Sequence, residues 1–206
     1  MCHPLHRITI QELPDRSSIA TLLPPDSAGC ELGVWRGDHA EDLLRNAKPR
    51  VLHLVDNWSW PENLDAAAET ARINARFAAG IASGQVRMHE MSFAEFFASI
   101  PDRSLDWAYV DGAHTYADVA RDTWHAWSKI RVGGILCGHD FAIRPGIWGT
   151  GVCRAVIELI QNRVGTLLAL SNENMGDWAM RVEIPEPASN DGAPGDSRER
   201  RLAVPP

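Results

Sequence analysis

Short apolar segments alternate with helical patterns along most of this sequence, and this alternation limits the possible folds more than any other feature. The strand-like segments are residues 28–33, 51–55, 86–91, 105–110, 135–138, 167–170 and 178–182. Strand–helix alternation forms right-handed βαβ units, which build a parallel sheet with helices on both faces. The last two segments are joined by a short, turn-rich connection, so they predict one antiparallel edge.

Helical patterns fill the intervals between these segments. Residues 38–47 carry apolar side chains at helical spacing, which predicts the first helix. Residues 61–79 are rich in alanine and predict one long helix, with Pro61 in its first turn and Gly80 at its end. The sequence therefore supplies a helix for each crossover between parallel strands.

The chain of 206 residues fits one domain with a hydrophobic core large enough to fold alone. Residues 1–25 are mixed in character and are expected to form an N-terminal arm. Residues 26–184 are expected to form the folded domain. Residues 185–206 are rich in Pro, Gly, Ser and charge, and we expect a disordered tail because they bury too little apolar surface.

The composition narrows the class of partner and the compartment. A net charge of −7 gives no global attraction to nucleic acid or to an anionic membrane. No stretch approaches the length of about 18 apolar residues that a membrane span needs. The four cysteines are scattered without a CxxC pair, which disfavours a disulfide scaffold or zinc ribbon and favours a reducing cytosol. We therefore expect a cytoplasmic protein that is not drawn to nucleic acid or to a membrane by its overall charge.

The loop after the first strand reads ELGVWRGD, from Glu31 to Asp38, and such loops bind ligands in this class of sheet. It lacks the G-x-G-x-x-G spacing of a dinucleotide site, which disfavours a nicotinamide-dependent oxidoreductase. Its flanking carboxylates would repel a pyrophosphate but suit a ligand with an amino group and a sulfonium, such as S-adenosylmethionine. Asp56, which ends the second strand 23 positions after Gly33, occupies the usual place of an acid that binds ribose hydroxyls.

These motifs resemble those of the class I S-adenosylmethionine-dependent methyltransferases over residues 27–183. CELGVWRG resembles the E-x-G-x-x-x-G motif of the family, HLVDNW its second-strand acid motif, and IRVGGILCGHDF its glycine turn and fifth strand. YVDGAHTYADVARDTW followed by GGILCGHDF is most similar to the small O-methyltransferase-like branch, akin to sugar and antibiotic O-methyltransferases. The resemblance implies an α/β, Rossmann-like three-layer sandwich whose mostly parallel seven-stranded sheet has one antiparallel strand.

The resemblance also implies a set of cofactor-binding residues at the carboxyl ends of the first four strands: Glu31, Gly33, Gly37, Asp56, Trp58, Met91, Ser92 and Asp111. Glu31 is expected near the amino group of the cofactor, while Gly33 and Gly37 line its methionine part. Asp56 is expected to bind the ribose hydroxyls, with Trp58 beside it. The end of the third strand is expected to border the adenine.

A second group of polar residues follows the fourth and fifth strands: Asp111, His114, His139 and Asp140. Because these strands are neighbours in such a sheet, two carboxylates and two imidazoles would converge beside the transferred methyl. A divalent ion held by the two carboxylates could bind a hydroxyl acceptor and lower its pKa, with Mg²⁺ as the first candidate. Alternatively, His114 or His139 could be the general base. Asp111 could also bond the turn at Gly112, and His114 could cap the next helix.

The resemblance implies one Asp after the fourth strand and an Asp-Asp or Asp-Asn pair after the fifth in metal-dependent members. Asp111 matches the first position, whereas His139-Asp140 departs from the pair and shifts the preference towards Mn²⁺, Fe²⁺ or Zn²⁺. The candidate metal ligands are therefore Asp111, His139 and Asp140. Asp122, on the following helix, is expected to be exposed or to support the site from behind.

The sequence therefore predicts an enzyme that methylates a small molecule at a hydroxyl oxygen. S-adenosylmethionine is the expected cofactor, with or without a divalent metal, and Asp111, His114 and His139 are the expected catalytic residues. Two alternatives stay open: a nicotinamide-dependent oxidoreductase, and a module that binds S-adenosylmethionine without turnover. No nucleic acid or membrane partner is expected. Homodimerisation through tryptophan-bearing loops or the N-terminal arm is a further hypothesis.

Overall fold

The computed structural model describes residues 9–141, 150–171 and 176–184. The strands are β1 (Gln11–Leu13), β2 (Ala28–Leu32), β3 (Val51–Asp56), β4 (Val86–Glu90), β5 (Leu105–Val110), β6 (Ile130–Gly138), β7 (Gly165–Ser171) and β8 (Trp178–Val182). The α-helices are α1 (Asp38–Asn46), α2 (Ala66–Arg76), α3 (Ala78–Ser83), α4 (Phe93–Ser99), α5 (Tyr116–Lys129) and α6 (Gly151–Gln161), and a 3-10 helix spans Arg16–Leu22. The expected tail, residues 185–206, lies outside the described residues.

All eight strands form one sheet in the order β1-β7-β8-β6-β5-β2-β3-β4. Strand β8 is antiparallel to both of its neighbours, and the remaining neighbours pair in parallel. The α/β class and the mostly parallel sheet with one antiparallel strand are thus confirmed. The described sheet has eight strands rather than seven, because the short, largely polar β1 pairs with β7 and was not recognisable as a strand.

The antiparallel strand lies inside the sheet and not at its edge, contrary to the prediction. Trp178, Ala179, Met180 and Val182 of β8 are buried, so this strand is covered on both faces and paired on both sides. A strand of this composition would leave apolar surface and backbone groups unsatisfied at an edge. Because β8 is inserted between β6 and β7, its backbone groups are paired on both sides and its apolar side chains are buried.

Two apolar clusters cover the two faces of the sheet and complete the three layers. One cluster packs α4, α5 and α6 against the sheet, and the other packs α1, α2 and the 3-10 helix against the opposite face. Along β5, Trp107 and Tyr109 belong to the second cluster, whereas Ala108 and Val110 belong to the first. This alternation is the period-two pattern of a strand buried on both faces. None of the helices within the described ranges is long and apolar enough to cross a membrane.

The long helix predicted at residues 61–79 is wrong in its bounds. Helix α2 begins only after Asp65, whose side chain accepts a hydrogen bond from the Ala68 backbone N–H at 3.1 Å. The helical segment then breaks at Phe77 and continues as α3, which ends at Gly84 in a left-handed conformation. An Asp cap supplies an acceptor for an otherwise unpaired N–H, so it fixes the start of the helix better than Pro61 does.

The segment before residue 26 packs against the domain. Asp15 caps the 3-10 helix by accepting a hydrogen bond from the Ser18 backbone N–H at 2.9 Å. Leu13, Ile19 and Ala20 are buried in the cluster that includes α1. This packing places Arg16, the first residue of the 3-10 helix, beside Asp111, which follows β5.

Candidate functional site

A cavity of about 900 Å³ opens beyond the carboxyl ends of β2, β3, β4 and β5. Six of the residues that the resemblance implied for the cofactor line it: Glu31, Gly33, Asp56, Met91, Ser92 and Asp111. Its volume lies in the range of sites for small molecules and cofactors. The strand ends thus bring these residues together although they are far apart in the sequence.

Gly33 allows the chain to leave β2 against the end of β5. Its φ is +89°, and a Cβ at this position would lie 2.0 Å from the carbonyl oxygen of Asp111. The Asp111 N–H donates to the carbonyl oxygen of Leu32 at 2.8 Å, which holds the two strand ends together. Any side chain at residue 33 would therefore separate the loop from β5.

Asp56 holds the loop that follows β2. Its Oδ2 accepts hydrogen bonds from the backbone N–H groups of Val34 at 2.8 Å and Trp35 at 3.0 Å. Its Oδ1 accepts from the Trp58 backbone N–H at 2.8 Å. A carboxylate has about four lone-pair sites, and three of those of Asp56 accept backbone N–H groups of the described residues.

Gly37 and Trp58 are not among the residues that line the cavity. Gly37 caps α1 with a φ of +82°, and a Cβ there would lie 2.6 Å from the Phe77 ring. Trp58 is buried, and its indole N–H donates to the carbonyl oxygen of Trp35 at 3.1 Å. Both residues support the loop from behind, whereas Trp35, which was not among the implied cofactor-binding residues, lines the cavity.

Glu31 is almost fully buried at the base of the cavity and pairs with His39 of α1. The distance between Glu31 Oε1 and His39 Nδ1 is 3.1 Å. Burial raises the pKa of Glu31, while His39 opposes that rise. Sequence reasoning missed His39, although its place on the helix face of Ala40 and Leu43 indicated burial.

Arg16 enters the site from the 3-10 helix. Its Nη2 donates to Oδ2 of Asp111 at 2.5 Å, and its guanidinium lies over the Tyr109 ring, 5.2 Å from the centroid. The two partners of this ion pair are 95 positions apart in the sequence. Arg16 was missed because no local pattern marks it, and only the packing of the N-terminal segment brings it to the cavity.

A second cluster lies at the ends of β5 and β6. One ligand atom each from Asp111, His114 and Asp140 lies within 4.8 Å of the others. His114 Nδ1 is 2.9 Å from Oδ2 of Asp140. Burial raises the pKa of Asp140, which also has a left-handed φ of +61°. The structure therefore joins the two predicted carboxylates to His114.

His139 faces a different partner. Its Nδ1 is 3.0 Å from Oδ1 of Asp177, which also accepts a hydrogen bond from the Tyr109 hydroxyl at 2.5 Å. Burial alone would lower the pKa of His139, but the hydrogen bond with Asp177 raises it overall. His139 Nε2 is 3.9 Å from Oδ1 of Asp140, so His139 lies beside the cluster. Sequence reasoning missed Asp177, which precedes the strand paired with β6.

Asp122 is buried, so of the two alternatives for this residue the exposed one is wrong and the supporting role stays a prediction. It lines the cavity from α5 and accepts a hydrogen bond from Nε of Arg121 at 3.0 Å. Burial raises the pKa of this carboxyl group. The helical pattern placed Asp122 near Val119 and Thr123, which are also buried, so the burial was recognisable from the spacing.

The donor set of Asp111, His114 and Asp140 suits a divalent cation. Two carboxylates and one imidazole are ordinary ligands of Mn²⁺, Fe²⁺ or Zn²⁺. Asp140 is 8% exposed, and a cation would offset the cost of burying its charge. The same three side chains can also move a proton, because an imidazole next to a carboxylate is a common general base.

Comparison with known proteins gives a family and a fold. A family model described as a methyltransferase domain matches residues 30–141, which is more than half of the chain. No curated protein sequence matches the chain. A solved structure from Corynebacterium glutamicum is 15% identical, with a TM-score of 0.61 and 84% of each chain covered.

Two further solved structures carry descriptive names. The O-methyltransferase TomG from Streptomyces achromogenes, involved in tomaymycin synthesis and in complex with S-adenosylmethionine, is 16% identical with a TM-score of 0.60. That match covers 81% of this chain and 77% of TomG. The N-methyltransferase NodS from Bradyrhizobium japonicum is 12% identical with a TM-score of 0.60, covering 82% of this chain and 93% of NodS. At these identities the likeness is one of fold.

Proposed function

The chain belongs to the methyltransferase domain family, and from that premise we propose that it transfers a methyl group from S-adenosylmethionine to a hydroxyl oxygen of a small molecule. The observation that carries this proposal is the position of the cluster of Asp111, His114 and Asp140 at the edge of the cavity. Asp111 belongs to both features, so a ligand in the cavity would end beside groups that can activate an acceptor.

The cavity has the chemistry of a site for S-adenosylmethionine. Five carboxylates line it, against three guanidinium groups: Glu31, Asp38, Asp56, Asp111 and Asp122, with Arg16, Arg36 and Arg121. Oε2 of Glu31 has no hydrogen-bond partner among the described residues. Carboxylates suit the ammonium and sulfonium of this cofactor and disfavour a pyrophosphate. With family membership established, the nicotinamide-dependent alternative has no remaining support. TomG, which shares the fold, is in complex with the same cofactor.

The proton balance of the reaction assigns a role to His114. The acceptor oxygen forms a bond to the methyl carbon, the carbon–sulfur bond breaks, and its electron pair stays on sulfur to give S-adenosylhomocysteine. The hydroxyl proton must go to a base, and Asp140 holds the imidazole of His114 through Nδ1 at 2.9 Å. This contact orients the imidazole ring as a general base.

A divalent ion is the alternative means of activation at the same three residues. Asp111, His114 and Asp140 would hold it, and when bound it would supply a Lewis acid that lowers the pKa of the acceptor hydroxyl. Asp177 and Tyr109 would keep His139 oriented beside the site in either case. Activation by a metal and catalysis by a base would therefore use the same three residues. Methyl transfer measured with and without a chelator distinguishes the two mechanisms.

Two measurements test the proposal. Calorimetric titration with S-adenosylhomocysteine should give binding, and NAD should give none; the reverse result would refute the cofactor assignment. An acceptor screen that follows methyl transfer, with and without a chelator, should find hydroxyl acceptors. Transfer to amines alone would refute O-methylation. Binding of the cofactor without transfer to any acceptor would instead favour a module without turnover.

The proposed compartment is the cytoplasm, supported by three buried free thiols at Cys30, Cys137 and Cys153. Free thiols persist where the environment is reducing. Cell fractionation with a tagged chain checks this location, and recovery with the envelope fraction would contradict it.

A further inference from the structure

Asp111, the carboxylate that the cavity shares with the second cluster, already holds a cation. Nη2 of Arg16 donates to Oδ2 of Asp111 at 2.5 Å, and the side chains of the two residues are 30% and 19% exposed. The guanidinium also lies over the Tyr109 ring, 5.2 Å from its centroid, which fixes its position. Because a partly buried ion pair is screened much less than a surface pair, the charge of Arg16 acts at close to full strength on its neighbours.

This charge reaches beyond Asp111. Burial would lower the pKa of Arg16, but its acidic neighbours Tyr109 and Asp111 raise it overall, so the guanidinium stays charged. Burial raises the pKa of Asp140, and the positive charge of Arg16 is among those that oppose that rise. Arg16 is therefore a counter-ion for both carboxylates of the cluster.

The three side chains that could hold a divalent ion all have partners. Asp111 pairs with Arg16, while His114 Nδ1 lies 2.9 Å from Oδ2 of Asp140. A divalent ion at this cluster would share Asp111 with the guanidinium. Two positive charges beside one carboxylate repel each other, and the repulsion is strong where little water screens it.

We propose that Arg16 takes the place of a metal at this cluster: it weakens the binding of divalent ions there and directs the site towards general-base catalysis. The proposal rests on the proposed function, because it selects between the two means of activation described for the acceptor. Arg16 is a positioning residue that acts through the charge of Asp111. The N-terminal segment thereby has a role, since its 3-10 helix delivers Arg16 to the site.

Calorimetric titration with Mn²⁺ tests the proposal, because two carboxylates and an imidazole are ordinary ligands of this ion. The unaltered protein should bind it with a Kd above about 1 mM, and Arg16→Gln should bind it at least about 100-fold more tightly. Arg16→Lys keeps the charge and should stay within about tenfold of the unaltered protein. A merely structural role of Arg16 would give no gain of metal affinity in Arg16→Gln.

Two further variants assign the gained affinity to the cluster. Arg131→Gln is the matched control, because Arg131 pairs at 2.5 Å with Asp106, near the other end of β5. Asp106 belongs to no group of three potential metal ligands among the described residues, so this variant should gain no affinity. The double variant Arg16→Gln/Asp140→Asn should lose the affinity that Arg16→Gln gained.

Several results would overturn the proposal. Equally weak binding of Mn²⁺ by the unaltered protein and folded Arg16→Gln would do so, as would tight binding by Arg16→Lys or by the double variant. If Arg16→Gln does not fold, the unaltered protein still decides: a micromolar Kd for Mn²⁺, or loss of methyl transfer on addition of a chelator, would contradict the proposal. Failure to bind S-adenosylhomocysteine would instead refute the proposed function, and the titration with Mn²⁺ is independent of it.

Discussion

The two sides of the cavity are built in different ways. On the side of β2 and β3, the carboxylate of Asp56 accepts three backbone N–H groups from the loops that flank it. On the side of β5, and in the polar cluster that continues from it to the end of β6, side chains bond to other side chains: Asp111 to Arg16, and His139 to Asp177. The first side is a backbone loop held by a nearby acid, with the buried pair of Glu31 and His39 below it. The second is a set of charges assembled from distant segments.

This difference indicates which kind of substitution should damage each side. A loop whose backbone defines the binding surface depends on conformation, so its weak point is a glycine and not a charge. A cluster of side-chain pairs depends on charge balance, so an isosteric neutral residue can remove its chemistry and keep its shape. The predictions below follow this contrast from the largest expected effect to the smallest.

Gly33→Ala should cause the largest loss, because residue 33 is where the two sides touch. Its Cβ would lie 2.0 Å from the Asp111 carbonyl oxygen, which is backbone and cannot rotate away. We expect the free energy of unfolding to fall by about 3–4 kcal/mol, measured by denaturant titration.

Gly84→Ala is the matched control for Gly33→Ala. Gly84 has a similar φ of +78°, but nothing lies within 4 Å of the added Cβ. It should therefore cost only the strain of the left-handed conformation, about 1 kcal/mol. Equal losses in the two variants would show that the contact between the sides of the cavity is unimportant.

Asp140→Asn should separate chemistry from cofactor binding. Asn keeps the shape of Asp and tolerates the left-handed φ of +61° at this position, but it cannot carry the negative charge that orients His114. We expect the methyl-transfer rate to fall by about 100-fold and the affinity for S-adenosylhomocysteine to change by less than about threefold.

Asp102→Asn serves as the control for Asp140→Asn. Asp102 is exposed and pairs with Lys129 at 2.7 Å, away from the residues that line the cavity. This variant should transfer methyl groups at the rate of the unaltered enzyme. If Asp140→Asn lost affinity as strongly as it lost activity, the division between the two sides would be wrong.

The pH dependence of cofactor affinity should arise from Glu31, which lies in β2. Burial raises the pKa of Glu31 above its ordinary value near 4.5, and only the ionised carboxyl group accepts the cofactor ammonium well. Affinity for S-adenosylhomocysteine should therefore fall as the pH drops through this raised pKa, by about tenfold per pH unit once the group is protonated. Glu31→Gln should bind weakly at every pH in this window.

The contribution of Glu31 to the free energy of unfolding should change in the opposite direction to cofactor affinity over the same pH window: it should decrease as the pH rises. Between the ordinary and the raised pKa of Glu31, the folded state holds more protons than the unfolded state. The stabilising contribution of protonated Glu31 is therefore present below the ordinary value and is lost as the pH rises through the raised pKa. Thermal unfolding with and without Glu31→Gln checks this sign, and parallel trends in affinity and stability would contradict it.

The sequence predicted the elements that have local causes. Apolar segments and helix spacing predicted the α/β class, and ELGVWRGD followed by Asp56 predicted a ligand-binding loop with an acid beside it. That Asp56 holds this loop through its backbone N–H groups was not predicted. The predicted helix at 61–79 was wrong where two local signals competed, since Asp65 is a stronger start than Pro61. The position of β8 was wrong because the pairing of strands across the sheet has no short-range signal.

The sequence did not predict three residues of the site: Arg16, His39 and Asp177. By its motifs the sequence determined that a glycine loop, Asp56, Asp111 and Asp140 would meet at the strand ends, because parallel strands end at one edge of the sheet. Only the tertiary structure decided that Arg16 pairs with Asp111, that His114 joins Asp140, and that His139 turns to Asp177. The reason is that the strength of an ion pair depends on the distance between its two groups and on their burial. For residues 95 positions apart in the sequence, both are defined only in the folded chain.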